Sequence, residues 1–162
     1  MVIRKAVFDD LEVILNIYEY ARKRMRLSGN PNQWKQNYPP KETIAGDIAA
    51  GNSYVITDDK EIVGVFAFII GEDETYRCIE QGEWVKQGSY GTIHRMAGNG
   101  KRTGLFRICE QFCESRISNI RADTHADNAV MQHLLEENGY QKCGRIYAAD
   151  GSPRIAYQKA WS

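Results

Sequence analysis

The chain has 162 residues, 43% of them hydrophobic, and we expect residues 1–162 to form one domain around a single core. Its 21 Lys and Arg residues balance 21 Asp and Glu residues, so the formal charge at pH 7 is zero. This balance excludes the broad basic surface of a protein that binds nucleic acid or an anionic membrane through charge alone. A small local anion site remains compatible with it.

The N-terminal residues lack the long apolar core of a secretory signal, and the longest apolar run, residues 62–70, is too short to cross a bilayer. We therefore expect a cytoplasmic protein in which the four cysteines are reduced thiols. No Cys-x-x-Cys pair occurs and the three histidines are scattered, so we expect no metal site.

The first third of the chain predicts one strand, two helices and a long loop. A capping box of Asp9 and Glu12 precedes the first helix, and three of the four prolines mark the loop. In order, we predict a strand over residues 3–7, a helix over about 10–25, a loop over 27–40, and a short helix from Pro40 to the residue before Gly51.

The middle of the chain predicts strands. Two runs rich in β-branched and aromatic residues, 53–57 and 61–71, form a hairpin around the turn 58–60. Further strands are predicted around residues 75–79 and over 91–97. We expect the loop between them to carry Trp84 as an exposed aromatic at the rim of a binding site.

From residue 103 the apolar spacing becomes helical, with a stripe formed by Leu105, Ile108, Cys109, Phe112 and Cys113. A strand over 117–124, a helix that begins at Asp127 or Asn128 and ends at Asn138, and two strands over 140–147 and 154–159 complete the chain. Strands outnumber helices, so we predict an α/β or α+β sheet covered by four helices.

The segment from His94 to Phe106 has the features of a phosphate-binding site. It runs from a strand through a loop with glycines and the two cations Lys101 and Arg102 into a helix. Free N–H groups and the dipole at a helix start favour an anion, and glycine lets an anion approach the main chain. The segment lacks the register of a P-loop or of a dinucleotide fold. From the residues alone, an ordinary glycine-containing turn between a strand and a helix is an equal alternative.

With these residues the chain resembles the GCN5-related N-acetyltransferase (GNAT) family, which transfers an acetyl group from acetyl-CoA to an amine. The family's loop pattern Arg/Gln-x-x-Gly-x-Gly/Ala falls on residues 101–106, where Lys101 replaces the usual first residue and Phe106 a small last one. Residues 123–128, 134–135 and 138–140 resemble the family's second cofactor-side motif. The resemblance implies a central, mostly antiparallel mixed sheet of about seven strands flanked by four helices.

The resemblance also implies roles for residues. Met96 and Ala97 would pair their backbone with the pantetheine arm and polarise the thioester carbonyl, and Asn128 would bond along the arm. The same Asn is equally suited to cap a helix. The pyrophosphate would be held by Lys101, Arg102, Thr103, Gly104, Leu105 and Phe106.

The groups that move protons depart from the family pattern. Leu135 stands where many relatives carry a Tyr that protonates the thiolate, and Thr92 stands where some carry a Glu base. By the period-2 rule Thr92, His94 and Met96 share a face, which makes His94 a candidate base. Tyr147 is a second candidate, and a chain of waters is the alternative to both.

For the acceptor, a small amine or a peptide, we expect contacts from Asn30 and Gln33 and from four aromatic residues: Trp34, Tyr38, Tyr76 and Trp84. Each Trp could equally anchor its loop to the core. A homodimer is left open, and no nucleic-acid or membrane partner is expected. The rival to an active acyltransferase is a weakly active or inactive CoA-binding sensor or partner module with the same fold, because the Tyr and Glu are absent.

Overall fold

The computed structural model describes residues 1–35 and 37–162. Residue 36, which falls in the predicted loop 27–40, lies outside the described residues. In chain order the elements are β1 (Val2–Lys5), α1 (Leu11–Leu27), α2 (Lys41–Ala49), β2 (Ser53–Asp58), β3 (Glu61–Ile70), β4 (Gly91–Gly98), α3 (Leu105–Glu114), β5 (Asn119–Thr124), α4 (Ala129–Glu137), β6 (Gln141–Tyr147) and β7 (Pro153–Ala160). Two single 3₁₀ turns cover Phe8–Asp10 and Glu74–Tyr76.

The strands form one sheet in the order β1-β2-β3-β4-β5-β7-β6. Neighbouring strands are antiparallel except β4 and β5, which are parallel. The mostly antiparallel mixed sheet with four helices is therefore confirmed. The predicted β2–β3 hairpin also forms, and its two turn residues, Asp59 and Lys60, both take positive φ, as a two-residue turn of right-handed twist requires.

Helices cover both faces of the sheet. On one face α1 and α2 pack over a cluster that includes Val55, and on the other α3 packs over a cluster that includes Ile56. These neighbours on β2 point to opposite faces because side chains alternate along a strand. Cys109 and Cys113 are fully buried in the α3 cluster, as the helical stripe predicted. In the described part of the chain, none of the helices has both the length and the apolar character of a membrane span.

The strand predicted around residues 75–79 is wrong, because a 3₁₀ turn occupies Glu74–Tyr76. The Asp73 carboxylate accepts the N–H of Thr75 at 2.9 Å and its hydroxyl at 2.7 Å, which bends the chain into a turn. The turn directs the side chain of Tyr76 into the core, where only 1% of the residue is exposed.

The predicted capping box at the start of α1 is also wrong. Asp10, rather than Asp9, accepts a backbone N–H, that of Val7, at 2.8 Å. The same carboxylate makes two hydrogen bonds with Arg4 at 2.8 and 3.0 Å. Its contact with Arg4 of β1 is a tertiary interaction, which the local spacing does not reveal.

Candidate active site

β4 and β5 lie side by side only at their N-terminal ends. Within the described residues their pairing is limited to Gly91 with Ile120 and Thr92 with Arg121. From Ile93 onward β4 remains paired with β3 alone, so the backbone groups on its other edge face an opening between the strands. An extended ligand with amide groups can pair with such an edge.

A β-bulge interrupts β4 beside this opening. Two of its residues, Arg95 and Met96, stand opposite the single residue Phe66 of β3. Arg95 has a φ of 52°, a left-handed conformation that costs a residue with a side chain about 1–2 kcal/mol. Bulges of this kind re-aim the backbone locally and are common next to active sites.

The bulge changes which side chains share a face. Ile93 and Met96 are three residues apart, yet both pack against the core cluster beneath α3. The predicted common face of Thr92, His94 and Met96 is therefore wrong, because one inserted residue reverses the alternation. Met96 faces the α3 side of the sheet, whereas the His94 ring lies beside Asp73 and Tyr76.

A cleft of about 430 Å³ lies between β4, the start of α3 and α4. Six of the predicted cofactor residues line it: Met96, Ala97, Arg102, Gly104, Leu105 and Phe106. Residues that the sequence did not single out for the cofactor also line it, and they are Gly98, Arg107, Met131, Leu134, Glu137 and Asn138. The apolar stripe of α4 pointed to Met131 and Leu134 as core residues, and their place at the cleft wall depends on the approach of α4 to α3.

The loop between β4 and α3 leaves the helix start open. Gly104, at φ 75°, is the N-cap residue of α3, and glycine has no side chain with which to cap the helix. The first-turn N–H groups therefore lack intrahelical partners and point toward the cleft end of the helix. Asn99 braces the loop, since its N–H donates to Val63 at 3.0 Å and its side-chain oxygen accepts from the Lys101 N–H at 3.0 Å.

The two loop cations are paired with the β2–β3 hairpin. Lys101 forms an ion pair with Glu61, and Arg102 forms one with Asp58. All four side chains are partly exposed to solvent, and pairs of this kind are worth about 1 kcal/mol or less. A phosphate at the start of α3 could therefore replace Glu61 or Asp58 as the partner of its cation at a small cost in free energy.

His94 contacts an acidic partner. Its Nε2 lies 2.9 Å from Oδ2 of Asp73, and its ring lies at 6.2 Å from that of Tyr76. Burial raises the pKa of Asp73, but the hydrogen bonds from His94 and Thr75 outweigh burial and hold that pKa at about 2. Asp73 is thus a carboxylate throughout the neutral range and can fix the orientation of the imidazole ring.

Tyr147, the other predicted catalytic residue, lies on the edge strand β6, which β5 and β7 separate from β4. Its hydroxyl donates to Glu80 at 3.0 Å. The structure therefore does not place Tyr147 beside His94 in the sheet, and its role in proton transfer stays a prediction.

The predicted acceptor aromatics differ in exposure. Tyr38 is 38% exposed, whereas Trp34, Tyr76 and Trp84 are all buried. The expected exposure of Trp84 is wrong: 7% of the residue is exposed, and its indole N–H donates to the Tyr76 carbonyl at 2.9 Å. The Trp84 ring also stacks on the guanidinium of Arg121, at 4.1 Å. Trp84 anchors its loop, and its contact with an acceptor stays a prediction.

Gln33 connects the long loop to the second half of the sheet. Its side-chain oxygen accepts from Asn128 at 2.9 Å, from Asn30 at 3.1 Å and from the Thr124 hydroxyl at 3.2 Å. Asn128 also caps α4, because its oxygen accepts the Met131 N–H at 3.0 Å. The capping role of Asn128 is confirmed, while its contact with a cofactor stays a prediction.

Among the residues that the structure describes, no group of three or more His, Cys, Asp and Glu side chains converges to hold a metal ion. No protein-family model and no curated protein matches the chain. Solved structures do match it over almost the whole length.

An acetyltransferase of the GNAT family from Streptococcus agalactiae is 32% identical, with a TM-score of 0.90 over 99% of this chain and 95% of that one. The ribosomal-protein-S18-alanine N-acetyltransferase from Escherichia coli is 16% identical, with a TM-score of 0.65 over 99% of this chain and 94% of that one. An aminoglycoside acetyltransferase solved with coenzyme A and kanamycin is 16% identical, with a TM-score of 0.66 over 98% of this chain and 94% of that one.

Proposed function

Because this chain belongs to the GNAT family of acetyltransferases, we propose that it transfers an acetyl group from acetyl-CoA to the primary amine of a small molecule or peptide in the cytoplasm. One observation carries the proposal: β4 diverges from β5 directly beside the uncapped start of α3. An open backbone edge next to a helix start suits a ligand that joins an amide-containing arm to a pyrophosphate.

The residues of the cleft fit acetyl-CoA, which supplies an activated acetyl thioester when bound. Arg102 and the first-turn N–H groups of α3 would hold the pyrophosphate, with Lys101 and Thr103 beside them. The backbone of Met96 and Ala97 would pair with the pantetheine arm. A main-chain N–H at the bulge would donate to the thioester oxygen, on which negative charge develops during the reaction.

Direct attack by the acceptor nitrogen on the acetyl carbon requires no enzyme nucleophile, only positioning and proton transfer. The C–N bond forms, the C–S bond breaks, and the amine loses a proton while the thiolate gains one. We assign removal of the amine proton to His94, because the ionised Asp73 beside it stabilises the imidazolium that forms. Tyr147 or a chain of waters would return a proton to the thiolate.

The alternative is a CoA-binding sensor or partner module without turnover. Leu135, at the position of the family Tyr, is 1% exposed and belongs to the core. Thr92, at the position of the family Glu, is also 1% exposed, and its hydroxyl has no partner among the described residues. Neither position can supply an acid or a base to the cleft.

Thermal unfolding with CoA, acetyl-CoA, ATP or NAD, followed by thiol release with a panel of amines, tests the proposal. A ligand at a hundred times its Kd stabilises the folded state by about 2.7 kcal/mol. We expect CoA and acetyl-CoA alone to raise the melting temperature, and at least one amine to release thiol. No shift with either CoA species would sink the proposal, and a shift without thiol release from any amine would favour the sensor.

Two arginines give a matched control. Arg102→Ala should weaken the shift caused by CoA, because it removes one phosphate-binding cation. Arg77→Ala removes another solvent-exposed guanidinium, which pairs with Glu72 and does not line the cleft. The melting shift caused by CoA should therefore be unchanged. If CoA raised the melting temperature of both variants by the same amount, the role of Arg102 would be contradicted.

A further inference from the structure

Arg95 is held in its left-handed conformation by contacts from two helices and one loop. Its guanidinium makes two hydrogen bonds with the Asp47 carboxylate of α2, at 2.9 and 2.8 Å. Its carbonyl oxygen accepts the hydroxyl of Tyr18 of α1 at 2.7 Å, and its Nη1 lies 3.4 Å from the hydroxyl of Tyr38. We call Asp47, Arg95 and Tyr18 the bulge clamp.

The bulge clamp is not explained by stability. The side chains of Arg95 and Asp47 are only 11% and 12% exposed, and taking two charges out of water costs several kcal/mol that pairing does not always return. Burial raises the pKa of Asp47 in spite of the attraction of Arg95, which reflects this cost. Arg95 also carries the strain of a positive φ. The cost of burying a charge and the cost of backbone strain therefore both fall on Arg95 of β4.

Arg95 immediately precedes Met96, which lines the cleft. The peptide unit between Arg95 and Met96 contains the Arg95 carbonyl, to which Tyr18 donates, and the Met96 N–H. Because a peptide unit is planar, fixing the direction of its carbonyl also fixes the direction of its N–H. The bulge clamp thus determines where the Met96 N–H points.

The bulge clamp also contacts the long loop predicted over residues 27–40. Tyr18 packs edge-on against Trp34 at 5.6 Å, and Trp34 packs against Tyr38 at 6.2 Å. Tyr38 is exposed and lies beside the Arg95 guanidinium. A row of three rings therefore connects the surface of the loop to the bulge.

We infer that Arg95, Asp47 and Tyr18 are positioning residues, which aim the Met96 N–H at the thioester oxygen. This inference rests on the proposed acetyl transfer. The clamp acts through the main chain of its neighbour and touches neither the acetyl group nor the acceptor. Misaiming a donor at the reacting atoms by about 1 Å can cost roughly 100-fold in rate, whereas binding of the CoA portion does not depend on it.

The kinetic test uses Asp47→Asn, Arg95→Met and Arg95→Lys. We expect the first two to lower kcat by roughly 10- to 100-fold, with the KM for acetyl-CoA changed by less than about threefold. Arg95→Lys keeps one charged hydrogen bond to Asp47 and should recover part of the loss. Glu19→Gln, which removes an exposed ion pair with Lys23 on α1, is the matched control and should retain the parental kcat.

A second readout needs no turnover. Arg is followed by Met at only two places in the sequence, Arg24–Met25 and Arg95–Met96. Labelling Arg carbonyl carbon with ¹³C and Met nitrogen with ¹⁵N therefore selects two amides, of which the first, in α1, is an internal reference. Replacing CoA by acetyl-CoA should shift the Arg95–Met96 signal. In Asp47→Asn, which keeps the labelled Arg95–Met96 pair, this acetyl-dependent shift should shrink while the reference stays in place.

The outcomes separate the two claims. If the parental protein shows no melting shift with CoA, the proposed function fails and the inference falls with it. If the parental protein binds CoA and its Met96 signal responds to the acetyl group, but Asp47→Asn responds equally and keeps its kcat, only the bulge clamp is overturned. If Asp47→Asn melts early but keeps the CoA shift, its Met96 signal still tests the bulge clamp.

Discussion

At the scale of single residues, the sequence reveals ionisable groups better than it reveals their partners. His94 is recognisable as a base candidate from its place on a predicted strand, although the face that it was expected to share with Met96 is wrong. Asp73 and Gln33 are not, because each acts at a distance along the chain: Asp73 meets His94 across 21 residues, and Gln33 meets Asn128 across 95. Only the turn signature of Asp73 with Thr75 is local, and it predicts a bend rather than a catalytic partner.

Replacing His94 tests its assigned role. We expect His94→Gln to lower kcat/KM for thiol release by roughly 100-fold or more, since a positioned base contributes about 10²–10⁴-fold. Binding of CoA, measured by thermal shift, should be unchanged because the cleft wall is intact. Asp73→Asn should cause a smaller loss, since the ring remains present but loses its ionised partner.

The pH–rate profile distinguishes chemistry from packing. If a general base assists thiol release, kcat/KM of the parental enzyme rises with pH as that base loses its proton, and His94→Gln should lose that rise. A profile of the same shape in both proteins would remove His94 as the base, whatever the size of the rate loss.

At the scale of elements, periodicity predicts the helices and most strands, while tertiary register decides the rest. The helical stripe of α3 and the turn of the β2–β3 hairpin are local and were predicted correctly. The bulge in β4 is not local, because it is defined by Phe66 standing opposite two residues of another strand. The divergence of β4 and β5 is likewise invisible in sequence, because no local pattern marks the residue at which two strands cease to pair.

Gly100 tests how closely the loop is fitted to α1. Its φ is 82°, and a Cβ at this position would lie 2.2 Å from the hydroxyl of Tyr20. We expect Gly100→Ala to destabilise the fold by about 1–3 kcal/mol and to weaken the melting shift caused by CoA, because the Tyr20 ring and the loop that precedes α3 must move apart.

Gly151 provides the control, with a φ of 84° and no atom within 4 Å of the corresponding Cβ. Gly151→Ala should show the backbone cost alone, about 1 kcal/mol, and a normal CoA shift. Equal effects of the two substitutions on CoA binding would mean that the contact with Tyr20 does not position the loop.

At the scale of the whole molecule, the zero net charge conceals a buried acidic group outside the cleft lining. Glu110 is 2% exposed, and it shares Lys159 with Glu114 at the C-terminal end of α3. Burial, reinforced by Glu114, raises the pKa of Glu110 to about 7 against the opposing effect of Lys159. The composition counts this residue as an ordinary surface carboxylate, because burial is a property of the assembled fold.

The raised pKa gives stability a defined pH dependence. The folded state holds a proton on Glu110 that the unfolded chain releases near pH 4.5, so its contribution is fully present below that pH and is lost as pH rises through about 7. Relative to the parental protein, Glu110→Gln should gain up to about 3 kcal/mol between pH 5 and pH 8. Urea unfolding of both proteins across this range measures the difference, and parallel curves would show that Glu110 is ionised throughout.

The short contact between β4 and β5 has a mechanical consequence. Two paired positions join a half-sheet of four strands to a half-sheet of three, so few backbone hydrogen bonds couple the two halves. A ligand that lies along the free edge of β4 and also contacts α4 would add contacts between the two half-sheets. If acetyl-CoA binds as proposed, its release would remove these contacts, so we expect the sheet to be stiffer with the ligand bound than without it.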